Sequence, residues 1–236
     1  MSPLKPPRLK NDCFALPPGV DWTPVDDALF RLRDRLSCVV SHEHLTVADA
    51  RGRVLAADAI AIRANPPAPN SAVDGYGMAH ASTGEGDQVL PLVEGRAAAG
   101  GAFDGEVPAG QAIRILTGAV VPPGVDTVVL EEDVSTDGQR IAFAGPLKKG
   151  ANTRKAGEDV EAGELAVPAG TRLGPAELAL LAATGVTHVT VFQRLRIGVL
   201  STGNELAAPE ETTDPTRTYD ANRPMLLSLI EDWSMT

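Results

Sequence analysis

Residues 65 to 80 constrain this chain most: Asn65-Pro66-Pro67-Ala68-Pro69-Asn70-Ser71-Ala72-Val73-Asp74-Gly75-Tyr76-Gly77-Met78-Ala79-His80. Pro66, Pro67 and Pro69 fix φ and remove backbone donors, so a helix cannot run through them. Gly75 and Gly77 follow, and they permit backbone angles closed to other residues. Between these two sets Asn70, Ser71 and Asp74 are offered on a stiff, irregular loop. A plain connector needs no such rigidity, because a flexible Gly/Ser segment joins two elements with less constraint. The stretch therefore reads as a site.

The rest of the chain divides around it. Residues 1–22 are rich in Pro, Lys and Arg without periodicity and read as a loose arm. Thr23 is placed to cap a helix over residues 24–36, with Pro24 in its first turn, Asp26 nearby and Leu29, Leu32 and Leu36 as its apolar face. Residues 45–62 alternate through Val47, Val54, Leu55, Ala57, Ile60 and Ile62, which predicts a turn at Arg51-Gly52-Arg53 and then a long strand. Past the loop, residues 81–146 lose helical periodicity. Short β-like runs at 89–93, 112–116 and 127–130 alternate with Gly- and Pro-rich turns, as in a small barrel or sandwich.

Residues 147–159 form a return linker with Lys148, Lys149, Arg154 and Lys155. A second helix opens at Gly174-Pro175, presents Leu178, Leu181 and Ala182, and stops before Gly185. A β-like run covers 186–192. The expected fold class is thus α+β and multidomain: a helix/strand subdomain from 23–63 and 160–194, with a β-barrel-like module of residues 64–159 inserted. Residues 195–200 read as a buried strand leading into Ser201-Thr202-Gly203-Asn204-Glu205. Asn222 then caps a helix striped by Met225, Leu226, Leu229, Ile230 and Trp233. One strand, one loop and one helix make the start of a parallel α/β domain, and residues 195–236 are too few to complete its core.

Charge and composition exclude several classes. A formal charge of −10 over 236 residues argues against general binding to nucleic acid phosphates or anionic lipid. Neither an apolar run of ~20 residues nor a secretory signal is present, so no membrane partner is expected. Cys13 and Cys38 are too few for a disulfide framework, which points to reduced thiols and a cytoplasmic setting. His42 and His44 flank Glu43 in a metal-compatible spacing, but without a third ligand they read as surface residues.

Asn70-Ser71-Ala72-Val73-Asp74-Gly75-Tyr76 resembles the Asn-Ser-Ala-Met-Asp-Gly-Tyr signature of the MoeA family, the molybdopterin molybdenumtransferases, which includes the E domain of gephyrin. Further matches fall at Arg114-Ile115-Leu116-Thr117-Gly118-Ala119 running on to Val129, at Gly157-Glu158-Asp159, and at Ser201-Thr202-Gly203-Asn204-Glu205-Leu206. All follow the family's order. The resemblance implies insertion of molybdate into adenylated molybdopterin with release of AMP, in a homodimer. It also implies that residues 195–236 begin a MogA-like domain that longer members complete, so this chain is expected to be truncated. Implied partners are the molybdopterin adenylyltransferase and the proteins that mature molybdenum enzymes. Members with these motifs handle molybdenum or tungsten.

Carried over by motif, Asp74, Thr117 and Glu205 match family residues of the molybdate and metal site. Both reactants are anions, so Asp74 and Glu205 make sense with a divalent cation between them, Mg²⁺ by its preference for oxygen. Thr117 and Gly118 would bring a hydroxyl and backbone N–H groups to an oxyanion. Asn70 and Ser71 would orient substrate, and Arg154 and Lys155 would meet a phosphate. Bland alternatives stand beside each: Asp74 as a turn residue, Thr117 as a strand-end hydroxyl, Glu205 as a solvated loop acid, and Arg154 with Lys155 as a salt-bridged turn. Glu131-Glu132-Asp133 either faces the site or ends a strand in solvent. The competing function is a non-catalytic dimeric scaffold related to the gephyrin E domain.

Overall fold

The computed structural model describes residues 23–211 and 214–233, so the expected arm at residues 1–22 lies outside the described residues. In chain order the elements are α1 (Val25–Arg35), β1 (His42–Thr46), β2 (Ala59–Ile60), β3 (Asn70–Ser71), β4 (Gly75–Met78), β5 (Gly86–Ala97) and β6 (Ala112–Ile115). They continue with β7 (Thr127–Leu130), β8 (Ser135–Thr136), β9 (Arg140–Gly145), β10 (Thr153–Arg154), β11 (Leu165–Val167), α2 (Pro175–Ala183), β12 (His188–Phe192), β13 (Leu206–Ala207), β14 (Thr218–Tyr219) and α3 (Asn222–Asp232). Two compact units contain them, Met1–Val39 and Val40–Thr236. No helix among the described residues is long and apolar enough to cross a membrane.

The first unit carries α1. Asp26 and Asp27 occupy its first turn and Arg33 and Arg35 its last, matching the helix dipole. Its N-cap is Pro24 rather than the expected Thr23, because Pro24 itself is extended (ψ 146°) and its carbonyl accepts the first helical bond from Ala28. No residue of α1 is buried, so the apolar face of Leu29, Leu32 and Leu36 is uncovered.

In the second unit β1 and β12 form an antiparallel ribbon, with His42 opposite Phe192 and Thr46 opposite His188. His42 and His44 point outward, as surface residues do. The inner side joins Leu55, Val167, Leu173, Leu181, Val189 and Val191 in one core. Helix α2 starts where Glu177 reaches back to accept the Gly174 N–H at 2.8 Å, with Pro175 in its first turn. Leu178 and Leu180 pack on the core beside Leu181, whereas Ala182 faces outward, contrary to the expected stripe. The long strand expected within 45–62 is broken. The expected turn at Arg51-Gly52-Arg53 is present, with Gly52 at positive φ (75°), but after it Val54 and Leu55 make only isolated bridges to Arg172 and Val191, and the two-residue β2 pairs with β11.

Residues 75–145 supply a six-stranded sheet of order β7-β4-β6-β5-β9-β8, curled as an open half-barrel whose edges are β7 and β8. The expected barrel does not close. Tyr76, Met78, Ala112, Val129, Ile141 and Phe143 form the core on one face, while Ile115, Ala119, Val128 and Ala97 cluster on the other. β4 lies between two antiparallel neighbours, with Gly75 opposite both Ile115 and Leu130. Gly75–Met78, within the expected loop at 65–80, is therefore a buried central strand. Its glycines answer to crowding and not to unusual angles: neither has positive φ, but a Cβ on Gly75 would lie 2.0 Å from the Val129 carbonyl oxygen.

β5 changes partners along its length. Its first half, Gly86 to Pro91, pairs with β9, and from Leu92 onward it runs parallel to β6 with an irregularity before Arg96. Toward the C-terminal side, no strand forms at residues 195–200, and Leu200 is 87% exposed. A buried parallel strand needs neighbours on both edges, and this segment has none among the described residues. The parallel pair that does form is β13 with β14. Asp220, rather than the expected Asn222, caps α3 by accepting the N–H groups of Asn222 and Arg223, each at 3.1 Å. Within α3 only Ile230 is buried.

Candidate functional site

Because β4 and β6 are antiparallel neighbours, the residue before β4 meets the residues that follow β6. Thr117 donates its backbone N–H (2.7 Å) and its hydroxyl (2.6 Å) to the same oxygen of Asp74, Oδ1. The Thr117 hydroxyl and then its amide hold the Asp74 carboxyl below the usual carboxylate range, and the Arg114 charge adds to this. Asp74 is exposed, and Oδ2 takes no protein hydrogen bond among the described residues. The side chain is thus an ionised carboxylate, fixed through one oxygen and open at the other. Its partner stands on a neighbouring strand end, not within its own loop.

The arm ahead of Asp74 is fastened on two sides. β3 pairs with β10, and the Ser71 N–H and carbonyl bond Ala119 and Gly118 at 2.9 and 2.8 Å. Lower down, the Gly157 N–H meets the Pro66 carbonyl at 2.9 Å, while Asp159 takes the Asn65 side-chain amide at 3.2 Å. The third sequence motif therefore braces the first.

These bonds decide what several sequence-derived candidates are free to do. The Gly118 N–H goes to Ser71 and the Thr117 N–H to Asp74, so both donors offered to an oxyanion are already engaged within the chain. Ser71 is buried, and its hydroxyl donates to the Val73 carbonyl at 2.6 Å. Asn70 Oδ1 is buried without a partner. Arg154 is held by Glu158 (3.0 Å) and Asp159 (2.5 Å), the arrangement of a salt-bridged turn, whereas the Lys155 ammonium makes no ion pair among the described residues.

Sequence reasoning quoted Arg114 within a motif but assigned it no role. It lies opposite Tyr76 across β6 and β4, with its Cζ 5.1 Å from the ring centroid, and its Nη2 meets Glu131 Oε2 at 2.6 Å. Of the acidic triple, Glu131 thus turns toward the corner. Tyr76 and Arg114 line a cleft of about 750 Å³ that opens where β5 parts from β9, with Leu92, Glu94 and Gln139 on its walls. A volume of this order suits a small-molecule site, typically ~300–1,000 Å³. The available signal was its place as the first residue of the motif that contains Thr117, but without the register nothing tied it to Tyr76 and Asp74.

Glu205 does not line the cleft of Tyr76 and Arg114. It is exposed and borders a second cleft of about 470 Å³ with Ser201, Thr202, Thr218 and Asp220. Its carboxylate folds back over Gly203, where a Cβ would come within 2.5 Å of it. No hydrogen bond joins Glu205 to Asp74 or Thr117, and no group of three His, Cys, Asp or Glu among the described residues is placed to hold a metal. The corner itself suits a hard cation in a limited way. Asp74 Oδ2 is a free, charged oxygen, and Mg²⁺ commonly takes only one or two carboxylates and completes its shell with water and substrate oxygens.

Comparison with known proteins agrees with this architecture. The model of the MoeA N-terminal region (domain I and II) matches residues 23–185. The molybdopterin molybdenumtransferase of Haemophilus influenzae is 35% identical over 209 residues, which are 88% of this chain and 51% of that protein. Its counterpart in Nostoc is 32% identical over 206 residues, 86% of this chain and 47% of the relative. The crystal structure of the molybdopterin biosynthesis moeA protein of Pyrococcus horikoshii superimposes with a TM-score of 0.80 at 32% identity, covering 89% of this chain and 57% of that one. The chain spans about half the length of the curated relatives it matches. With more than half of its residues matching the family's N-terminal region, the chain belongs to the MoeA family.

Proposed function

We propose that the chain acts as the N-terminal part of a molybdopterin molybdenumtransferase, in the transfer of molybdate to adenylated molybdopterin with release of AMP. Relatives of that name support the reaction class. The observation that carries the reading to particular residues is the Asp74–Thr117 pair, which keeps a charged carboxylate oxygen exposed at the end of a rigid sheet.

Alone, that carboxylate repels molybdate and pyrophosphate oxygens. Asp74 Oδ2 would hold Mg²⁺, which would reverse the local charge and so favour oxyanions. Thr117 fixes the carboxylate and keeps it ionised. Glu205 offers a second carboxylate from the segment that follows, and the unpaired Lys155 ammonium offers a contact for a substrate phosphate. Homodimerisation, a cytoplasmic setting and supply of the adenylated substrate by a molybdopterin adenylyltransferase belong to the same proposal.

The test is calorimetric titration of molybdate into the chain with and without Mg²⁺, comparing wild type with Asp74→Asn. Binding that needs Mg²⁺ and weakens by about tenfold or more in the variant is the expected result, the scale of one charge-assisted contact. Equal binding by both proteins would overturn the assignment of Asp74.

A further inference from the structure

Arg114 joins three strands at the end of the sheet that carries Asp74. Rooted on β6, the guanidinium lies over Tyr76 of the central strand β4 and reaches Glu131 just past β7. Glu131 in turn donates its backbone N–H to the Asp74 carbonyl at 3.1 Å. One side chain therefore ties the ends of β6 and β7 to the residue from which β4 begins.

Stability alone accounts poorly for an arginine at this place. Its side chain is 25% exposed, and Nη1 is buried with no hydrogen-bond partner. A buried unpaired donor is a net cost to the folded state. An apolar residue of similar volume in place of such an ion pair is often neutral or stabilising, and Ala112, Met78 and Val129 on this face are already apolar. An apolar side chain cannot, however, hold Glu131 while placing a cation over Tyr76. That takes a planar, charged fork.

We propose that Arg114 is a positioning residue for Asp74: by holding Glu131 against the Asp74 backbone, it keeps the carboxylate turned so that Oδ1 meets Thr117 and Oδ2 faces outward. Its weight in catalysis rests on the reading of Asp74 given above. Its geometry is tested without any substrate.

The experiment follows backbone amides by nitrogen-15 NMR and hydrogen exchange in the full chain, wild type against Arg114→Met, Arg114→Lys and Glu131→Gln. In Arg114→Met the Thr117 amide is expected to move upfield and lose about tenfold of its protection, while Ile113 and Val128 in the same sheet keep theirs. Arg114→Lys restores the charge without the fork and recovers less than half of the loss. Glu131→Gln, which keeps shape and a weaker bond, shifts the same amide in the same direction, and it decides the matter should Arg114→Met fail to fold.

An unmoved Thr117 amide overturns the proposal. So does an equal loss at Ile113 and Val128, which would mark a general loosening of the sheet. Molybdate titration run in parallel separates the two ideas. If Asp74→Asn binds like wild type while Arg114→Met still shifts Thr117, the functional reading fails and the positioning role stands.

Discussion

Val129 sets its carbonyl oxygen 2.0 Å from the point where a Cβ on Gly75 would stand, so β4 and β7 pass one another at a distance only glycine permits. Gly75→Ala must push apart two backbones in a sheet, and a loss of about 3 kcal/mol in urea denaturation is expected. Gly77→Ala provides the comparison. There a Cβ meets Val125 Cγ1 at 2.8 Å, the end of a side chain that can turn away, and the expected loss is about 1 kcal/mol. Equal losses at the two positions would show that crowding by the Val129 backbone is not what selects Gly75.

Thr117→Val keeps the shape of the side chain and the backbone N–H but removes the hydroxyl, the largest influence holding the Asp74 carboxyl low. Asp74 is depressed in the folded state. Its contribution to stability is therefore present above the unfolded carboxylate value and is lost as pH falls through the folded one. In Thr117→Val that loss occurs at a higher pH, though not as high as for a free aspartate, because the amide bond remains. Carbon-13 titration of the Asp74 carboxyl checks this, and an unchanged midpoint would remove the hydroxyl from the account.

Asp137 in the turn between β8 and β9 is pulled down to about 2, by the Arg140 guanidinium first and then by the backbone N–H groups of Gln139 and Arg140. Those amides bond Oδ1 at 2.9 and 2.7 Å, while Arg140 Nη2 bonds Oδ2 at 2.7 Å. The support Asp137 lends the folded hairpin is complete above the ordinary aspartate range and disappears as pH falls through about 2. Arg140→Gln moves the midpoint upward by part of the shift, and NMR titration of that carboxyl reads the result directly.

Arg53 is 8% exposed, pairs with Glu43 and donates to the Phe192 carbonyl at 2.6 Å, clasping both strands of the β1–β12 ribbon. Arg53→Ala leaves that carbonyl without its donor and Glu43 half-buried without its cation. A loss of about 2 kcal/mol in thermal or urea denaturation is expected, below the range for fully buried pairs because Glu43 still reaches solvent. A change within ~0.5 kcal/mol, the scale of an ordinary surface substitution, would show that the clasp does not hold the ribbon.

Much of the architecture was legible where the signal is local. The apolar runs at β6 and β7 and the helices α1 and α2 lie close to where periodicity, prolines and glycines put them. Asp74 and Thr117 could be named from their motifs, and the antiparallel pairing of β4 with β6 brings them together. The remainder depended on partners distant in sequence. Gly-Tyr-Gly-Met lacks the β-branched residues that announce a strand, so Gly75–Met78 read as a loop until its neighbours on both sides were known. Residues 195–200 had the composition of a buried strand, but composition supplies no pairing edge. Asn65 gave no sign of Asp159, which lies 94 positions further along the chain.

The divided pairing of β5 makes the two flanks of the half-barrel one lever. Gly86 to Pro91 lean on β9 and the strand beyond leans on β6, so a single backbone joins β9 of the Asp137 hairpin to β6, the strand that carries Arg114. Thr136, Gly138 and Gln139 of that hairpin wall the same cleft as Tyr76 and Arg114, so sequence drift there alters the shape of the cleft directly.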